Sequence, residues 1–152
     1  MAEPYTPDGP PDGDRSGGRF EAALREGRFA IVTEVNGADT ADATSFTAAA
    51  RDLAGLADVV SITDHSGANV HMGNVAATAH LLAAGVETMP TFSCRDRNRI
   101  ALQGDLLGVA SLGVRNVLLV TGNHVEVGDS PARQARLRPG QHPADPGGGR
   151  AS

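Results

Sequence analysis

The sequence of 152 residues contains no lysine, so all 13 of its basic residues are arginine. A P-loop requires a lysine to bind nucleotide phosphates, and this absence therefore excludes P-loop proteins. The net charge of -5 also gives no basic surface of the kind that binds nucleic acid. We therefore expect no nucleic-acid partner.

Cysteine and long apolar segments are equally scarce. Cys94 is the single cysteine, so the chain cannot form an internal disulfide, which is typical of a reducing compartment. No apolar run approaches the roughly 20 residues of a transmembrane helix. The acidic start, rich in Pro and Gly, lacks the basic and then apolar pattern of a signal peptide. These features predict a cytoplasmic protein that does not associate with membranes.

Aromatic residues make up only 3% of the chain, whereas 40% of the residues are hydrophobic. A core is therefore expected to consist of Ala, Val and Leu, within about the length of one domain. We predict one folded unit at residues 19–131, a disordered leader at 1–18 and a disordered tail at 132–152. The tail combines arginines, prolines and glycines with a single large aliphatic residue, Leu137, and so cannot supply another strand.

Between the tails, apolar segments typical of strands alternate with helical patterns. The strands are "FAIVTEV", "ADVVSITD", "ETMPTFSC" and "VRNVLLVTGN". The segment "TADATSFTAAARDLAGL" has Phe46, Ala50, Leu53 and Leu56 at helical spacing, which predicts that they face the core. Continuous apolar strands separated by helices indicate an α/β fold with parallel strands and right-handed crossovers.

Each predicted strand becomes polar at its carboxyl end, where parallel α/β proteins bind ligands. The ends are Thr33-Glu34, Thr63-Asp64, Ser93-Cys94 and Thr121-Gly122-Asn123. Glu34 is either a solvated residue or ion-pair partner, or a partly desolvated acid with a raised pKa that delivers a proton. Asp64 also fits ordinary turn chemistry.

Other candidate groups carry less weight. His65 and His71 are interpreted as solvated loop histidines, so no metal site is predicted, and Cys94 is expected to be a buried small hydrophobe. No G-x-G-x-x-G follows a strand, which leaves a Rossmann dinucleotide site unsupported. No G-x-S-x-G occurs, so a hydrolase nucleophile elbow is absent.

Three segments together resemble the 5,10-methylenetetrahydrofolate reductase family over about residues 19–131. They are "FAIVTEV", "DVVSITD" and "CRDRNRIALQGDLLGVASLGVRNVLLVTGN", the last followed by "VGDSP". The resemblance implies a TIM (β/α)₈ barrel in which FAD passes hydride from NAD(P)H to methylenetetrahydrofolate, giving 5-methyltetrahydrofolate for methionine biosynthesis. Such a barrel needs about 250 residues, so we expect the first four βα units, in an inactive or weakly active fragment.

The resemblance also implies roles for particular residues. Glu34 occupies the place of the family's proton donor, which favours opening of the folate ring to an iminium. Thr63 and Asp64 match the end of the second strand, which borders the flavin in the family. The Pro-Pro usual after the first-strand acid is replaced here by "VNGAD".

Further flavin contacts are implied on the third and fourth strands. Thr121, Gly122 and Asn123 match the loop that passes beside the isoalloxazine ring. Asn123 stands where the family usually has Asp, which removes a negative charge, and Thr91 stands where His is common.

Alternatives remain open at this point. The chain could be a non-catalytic flavin-binding α/β module, or another flavin- or deazaflavin-dependent reductase on the same barrel. The unpaired edges of a half barrel also leave a homo-oligomer open. One choice of synonymous codons for residues 134–152, read one nucleotide later, encodes a peptide resembling the family's continuation. We therefore hypothesise that the tail is out of frame or follows a sequence error.

Overall fold

A computed structural model describes residues 16–129, which form four helices and four strands in alternation. In chain order they are α1 (Arg19–Arg25), β1 (Val32–Val35), α2 (Thr44–Ala54), β2 (Val59–Ile62), α3 (Asn74–Ala83), β3 (Thr88–Ser93), α4 (Arg99–Ser111) and β4 (Leu118–Val120). Short 3₁₀ turns follow β2 and β4 at Ser66–Ala68 and Val125–Val127. The predicted tail at 132–152 and residues 1–15 of the predicted leader lie outside the described residues.

The four strands form one parallel sheet in the order β1-β2-β3-β4. Glu34 of β1 pairs with Ser61 of β2, which in turn pairs with Met89 of β3. A helix connects each strand to the next, as parallel pairing requires. The predicted α/β class, with its first four βα units of a partial barrel, is therefore confirmed.

One face of the sheet is covered by helices. Val35 and Ile62 pack from the strands against Phe46 and Ala50 of α2 and Leu81 of α3. Fully burying a Val, Leu, Ile or Phe side chain stabilises a fold by about 1.5–3 kcal/mol. Because side chains alternate across a strand, Glu34 and its neighbours in register point to the opposite side. We call this side, turned away from α2 and α3, the inner face.

A second hydrophobic cluster lies between β3 and α4. Phe92 of β3 is fully buried with Val109 of α4 and Val114 of the following loop. The guanidinium of Arg97 lies 5.3 Å from the centroid of the Phe92 ring. All six residues of β3 are buried, which is expected of a central strand in a parallel sheet.

The helices begin and end at residues with suitable chemistry. The Asn98 side chain caps α4 by accepting a hydrogen bond of 2.9 Å from the backbone N–H of Ala101. Before α2, the Asp42 carboxylate accepts a bond of 2.9 Å from the Thr44 N–H. Gly85 follows α3 with a φ of +77°, a conformation that glycine adopts without steric cost.

Some predicted boundaries were wrong at the edges of the sheet. β1 begins at Val32, so Phe29, which opens the predicted strand, is 89% exposed and Ile31 is also exposed. Leu56 lies beyond the end of α2 and is 71% exposed rather than in the core. The pattern of apolar residues predicts strand and helix propensity, but pairing with β2 starts only at Val32. Among the described residues, no helix is long and apolar enough to cross a membrane.

Candidate active site

The predicted polar ends meet at one edge of the sheet, because the strands are parallel. On the inner face, the Ser61 and Thr91 hydroxyls lie 3.4 Å apart between β2 and β3. The Thr63 hydroxyl donates a hydrogen bond of 3.1 Å to the Asn36 side-chain oxygen, which follows β1. These two hydrogen bonds link β2 to β3 and the loop after β1 to the end of β2.

Glu34 is less enclosed than the other polar residues on the inner face. Its side chain is exposed, whereas Ser61 and Thr91 are buried. Within residues 16–129, no group forms a hydrogen bond or ion pair with its carboxylate. Of the two interpretations of Glu34, the described residues fit the solvated one, because β1 is an edge strand of the described sheet and no described residue covers its inner face at this position. Its role as proton donor stays a prediction.

Asp64, at the end of β2, is held inside the protein. Its side chain is 1% exposed. One carboxylate oxygen accepts a hydrogen bond of 2.6 Å from the Ser93 N–H, and the other accepts one of 3.0 Å from Arg97 Nη2. Arg97 also donates to Asp64 through Nη1. Both oxygens are thus engaged within the protein, and the flavin contact implied for Asp64 stays a prediction.

The guanidinium of Arg97 places a positive charge in the partly buried region beside Asp64. Burial lowers the pKa of Arg97, but its hydrogen bonds to Asp64 and Asp105 outweigh burial and leave the pKa raised. The Asp105 contact is an ion pair of 2.7 Å that reaches α4. The guanidinium therefore joins the end of β2 to α4 as a permanent cation.

The loop after β4 approaches the end of β3 closely. Gly122 has a φ of +82°, and a Cβ added at this position would collide with the Ser93 hydroxyl. Thr121, Gly122 and Asn123 are all exposed. Because Gly122 has no side chain, a ligand lying at this edge could contact the backbone of the segment directly.

The two histidines are not the solvated residues that the sequence predicted. Their rings are stacked, with centroids 6.5 Å apart and planes 13° from parallel. His71 Nδ1 lies 2.6 Å from the Asp39 carboxylate, and His65 Nδ1 accepts a hydrogen bond of 3.2 Å from the His71 N–H. His65 has a φ of +50°, in the left-handed region. These contacts join the loops after β1 and β2.

The sequence pattern did not single out the first two of the three arginines in "CRDRNR". Arg95 and Arg97 are largely buried, and both make contacts that link the loops at the polar edge. Their position directly after a strand was visible, but some of their acceptors, such as Asp64 and the carbonyl of Asn123, come from distant segments. Cys94 was expected to be buried and is instead half-buried.

Four parallel strands in sequential order, covered by helices on one face and polar at their carboxyl edge, define a protein of the (β/α)-barrel class. The sequence model of the methylenetetrahydrofolate reductase family matches residues 19–138, and the chain belongs to this family. Membership implies an oxidoreductase with a folate substrate, in a family that is generally flavin-dependent. No curated protein and no solved structure matches the chain.

Proposed function

We propose that the chain carries the proton-donating and flavin-facing part of an FAD-dependent 5,10-methylenetetrahydrofolate reductase that uses NAD(P)H. One observation carries the proposal: Glu34, the acid at the family's proton-donor position, is exposed on the inner face at the polar edge of the sheet. A carboxyl group that donates a proton must be accessible to its substrate. Glu34 meets this condition, whereas the carboxylate of Asp64 is buried and paired.

The residues at the edge suit a flavin. At Gly122 the positive φ and the contact with Ser93 require glycine, so the backbone of residues 121–123 can lie against a flat ring. The Thr63 and Thr91 hydroxyls also lie on the inner face, and each is already oriented by a hydrogen-bond partner. When bound, FAD would take hydride from NAD(P)H and deliver it to the folate.

Glu34 would supply the proton in this scheme. Its carboxylic acid would protonate the folate, favouring ring opening to the iminium that accepts hydride. Because the side chain is exposed, water can restore the proton after each turnover.

We expect weak FAD binding and slow turnover from the chain alone. β1 and β4 lie at the two edges of the described sheet, and Leu118 and Leu119 of β4 are exposed. Unpaired edges of this kind favour association with another chain. The cytoplasmic location and a possible homo-oligomer stay predictions.

The test is to equilibrate the purified chain with FAD, FMN and a deazaflavin, and to identify the retained cofactor by extraction and mass measurement. We expect weak, saturable retention of FAD. When NAD(P)H and methylenetetrahydrofolate are then added, with protein in excess over folate, we expect slow formation of 5-methyltetrahydrofolate. Retention of FAD without any product would favour the non-catalytic flavin-binding module. Preferential retention of the deazaflavin would favour the other reductase, and retention of no flavin would contradict all three.

A further inference from the structure

Arg95 is a buried arginine that connects three loops at the polar edge. Its side chain is 5% exposed. The guanidinium binds the Asp96 carboxylate through Nε and Nη2, at 2.8 and 2.7 Å. Nη1 donates to the carbonyl of Asn123 at 3.2 Å, and Nη2 donates to the carbonyl of His65 at 3.3 Å. A single side chain thus holds the loops that follow β2, β3 and β4.

The Arg95 bond to Asn123 is one of the contacts that position the loop after β4. β4 is only three residues long, so few ladder hydrogen bonds hold the segment that follows it. Ser93 adds a weak bond of 3.5 Å to the Thr121 carbonyl, and its hydroxyl in turn accepts a bond of 3.1 Å from the Arg95 N–H. A Cβ on Gly122 would lie 3.2 Å from the Cβ of Arg95, so loop and side chain are in close contact.

We infer that Arg95 is a positioning residue for flavin binding, which it supports by fixing the backbone of residues 121–123. The inference rests on the proposed function, in which this segment faces the flavin ring. Arg95 bonds to the carbonyl of Asn123 and not to its side chain, so its effect does not depend on the side chain at position 123. Its planar fork reaches acceptors in three directions, which a lysine ammonium on a flexible stem cannot reproduce.

The inference is tested on the full chain with Arg95→Met, Arg95→Lys and the control Arg51→Met. Arg51 is exposed on α2, outside the polar edge. Without flavin, hydrogen–deuterium exchange of the amides at residues 121–129 should be about tenfold faster in Arg95→Met, because a charge-assisted bond to the loop is lost. Arg95→Lys should show an intermediate rate, and Arg51→Met should match the unaltered chain.

A second measurement connects the loop to the ligand. In fluorescence titrations, Arg95→Met should bind FAD about tenfold more weakly than the unaltered chain. Arg95→Lys should recover part of this affinity, and the visible absorption bands of the bound flavin should shift in Arg95→Met but not in Arg51→Met. A merely structural role elsewhere in the fold would not change the flavin spectrum.

The outcomes separate the inference from the proposed function. Equal exchange at residues 121–129 in Arg95→Met and the unaltered chain would overturn the inference, as would faster exchange with unchanged FAD affinity. If Arg95→Met does not fold, Arg95→Lys decides: exchange and affinity equal to those of the unaltered chain would overturn the inference. Failure of the unaltered chain to bind FAD would overturn the proposed function and the flavin-directed role together.

Discussion

The central and edge strands of the sheet differ in how their polar ends are held. All residues of β2 and β3 are buried, and their ends are joined by Asp64, Arg97 and Arg95 in a network of ion pairs and hydrogen bonds. In contrast, Glu34 on β1 and Gly122 after β4 are exposed. The difference indicates a division of labour: the central strands hold the edge in place, while the outer strands present the groups proposed to meet cofactor and substrate.

The largest expected effect on stability is the difference between replacing a buried phenylalanine, Phe92, and an exposed one, Phe29. Phe92 of β3 is 0% exposed, and Phe29 before β1 is 89% exposed. Phe92→Ala should lower the free energy of unfolding by about 4 kcal/mol because it leaves a cavity. Phe29→Ala should change it by less than about 0.5 kcal/mol. Urea denaturation followed by circular dichroism measures both, and equal losses would contradict the assignment of the core.

The second largest effect on stability is expected at the buried ion pair between Asp64 and Arg97. Asp64→Asn removes one charge and leaves Arg97 with Asp105 as its remaining carboxylate partner, so the free energy of unfolding should fall by about 3 kcal/mol. The exposed Asp52 on α2 provides the control, and Asp52→Asn should be within about 0.5 kcal/mol of the unaltered chain. Similar denaturation midpoints for the two variants would show that the network does not stabilise the central strands.

The loop after β4 should show a smaller, steric effect. Gly122→Ala combines a positive φ with a collision at Ser93 and should destabilise the fold by about 2 kcal/mol. Gly85→Ala has a similar φ of +77° but no atom within 4 Å of the added Cβ, so it should cost only about 1 kcal/mol. Thermal melts of both variants measure the difference. Equal melting temperatures would mean that the loop does not press against β3.

The smallest effect lies at the periphery, in α1. The Ser16 hydroxyl, with Arg25 as second partner, lowers the pKa of Glu21 to about 2 from 4.5. A lowered pKa means that the stabilisation is fully present above pH 4.5 and is lost as the pH falls through 2. Amide exchange in α1 should therefore be slower in the unaltered chain than in Glu21→Gln at pH 6. The difference should shrink below pH 4.5 and vanish once the pH is well below 2. A difference that does not shrink between pH 4.5 and pH 2 would contradict this origin.

Much of the fold could be predicted from the sequence, because it depends on local patterns. Apolar strands rich in β-branched residues alternate with helices, and this pattern requires parallel pairing and gathers the strand ends at one edge. The pattern also identified Phe46 and Ala50 as core residues of α2, both of which are buried. Boundaries at the edge strands could not be predicted in the same way, because they depend on where a neighbour supplies a partner.

The interior of the site was less accessible to sequence reasoning. Asp64 and Arg97 are 33 residues apart, and Arg95 reaches the carbonyl of a residue 28 positions away. Such partners are set by the tertiary arrangement of loops, and residue spacing carries no signal for them. Asp64 is buried because β2 is a central strand, and Glu34 is exposed because β1 is an edge strand of the described sheet.

The central claim is that Glu34 supplies the proton for folate reduction, and a single-turnover experiment tests it most directly. The chain, in excess and with chemically reduced FAD, is mixed with methylenetetrahydrofolate, and 5-methyltetrahydrofolate is quantified by mass spectrometry. Loss of the general acid should slow the reaction of Glu34→Gln by about 10²–10⁴-fold. FAD affinity and stability should change little, because no described residue bonds to the Glu34 carboxylate. Product formation at the same rate in Glu34→Gln and the unaltered chain would contradict the claim.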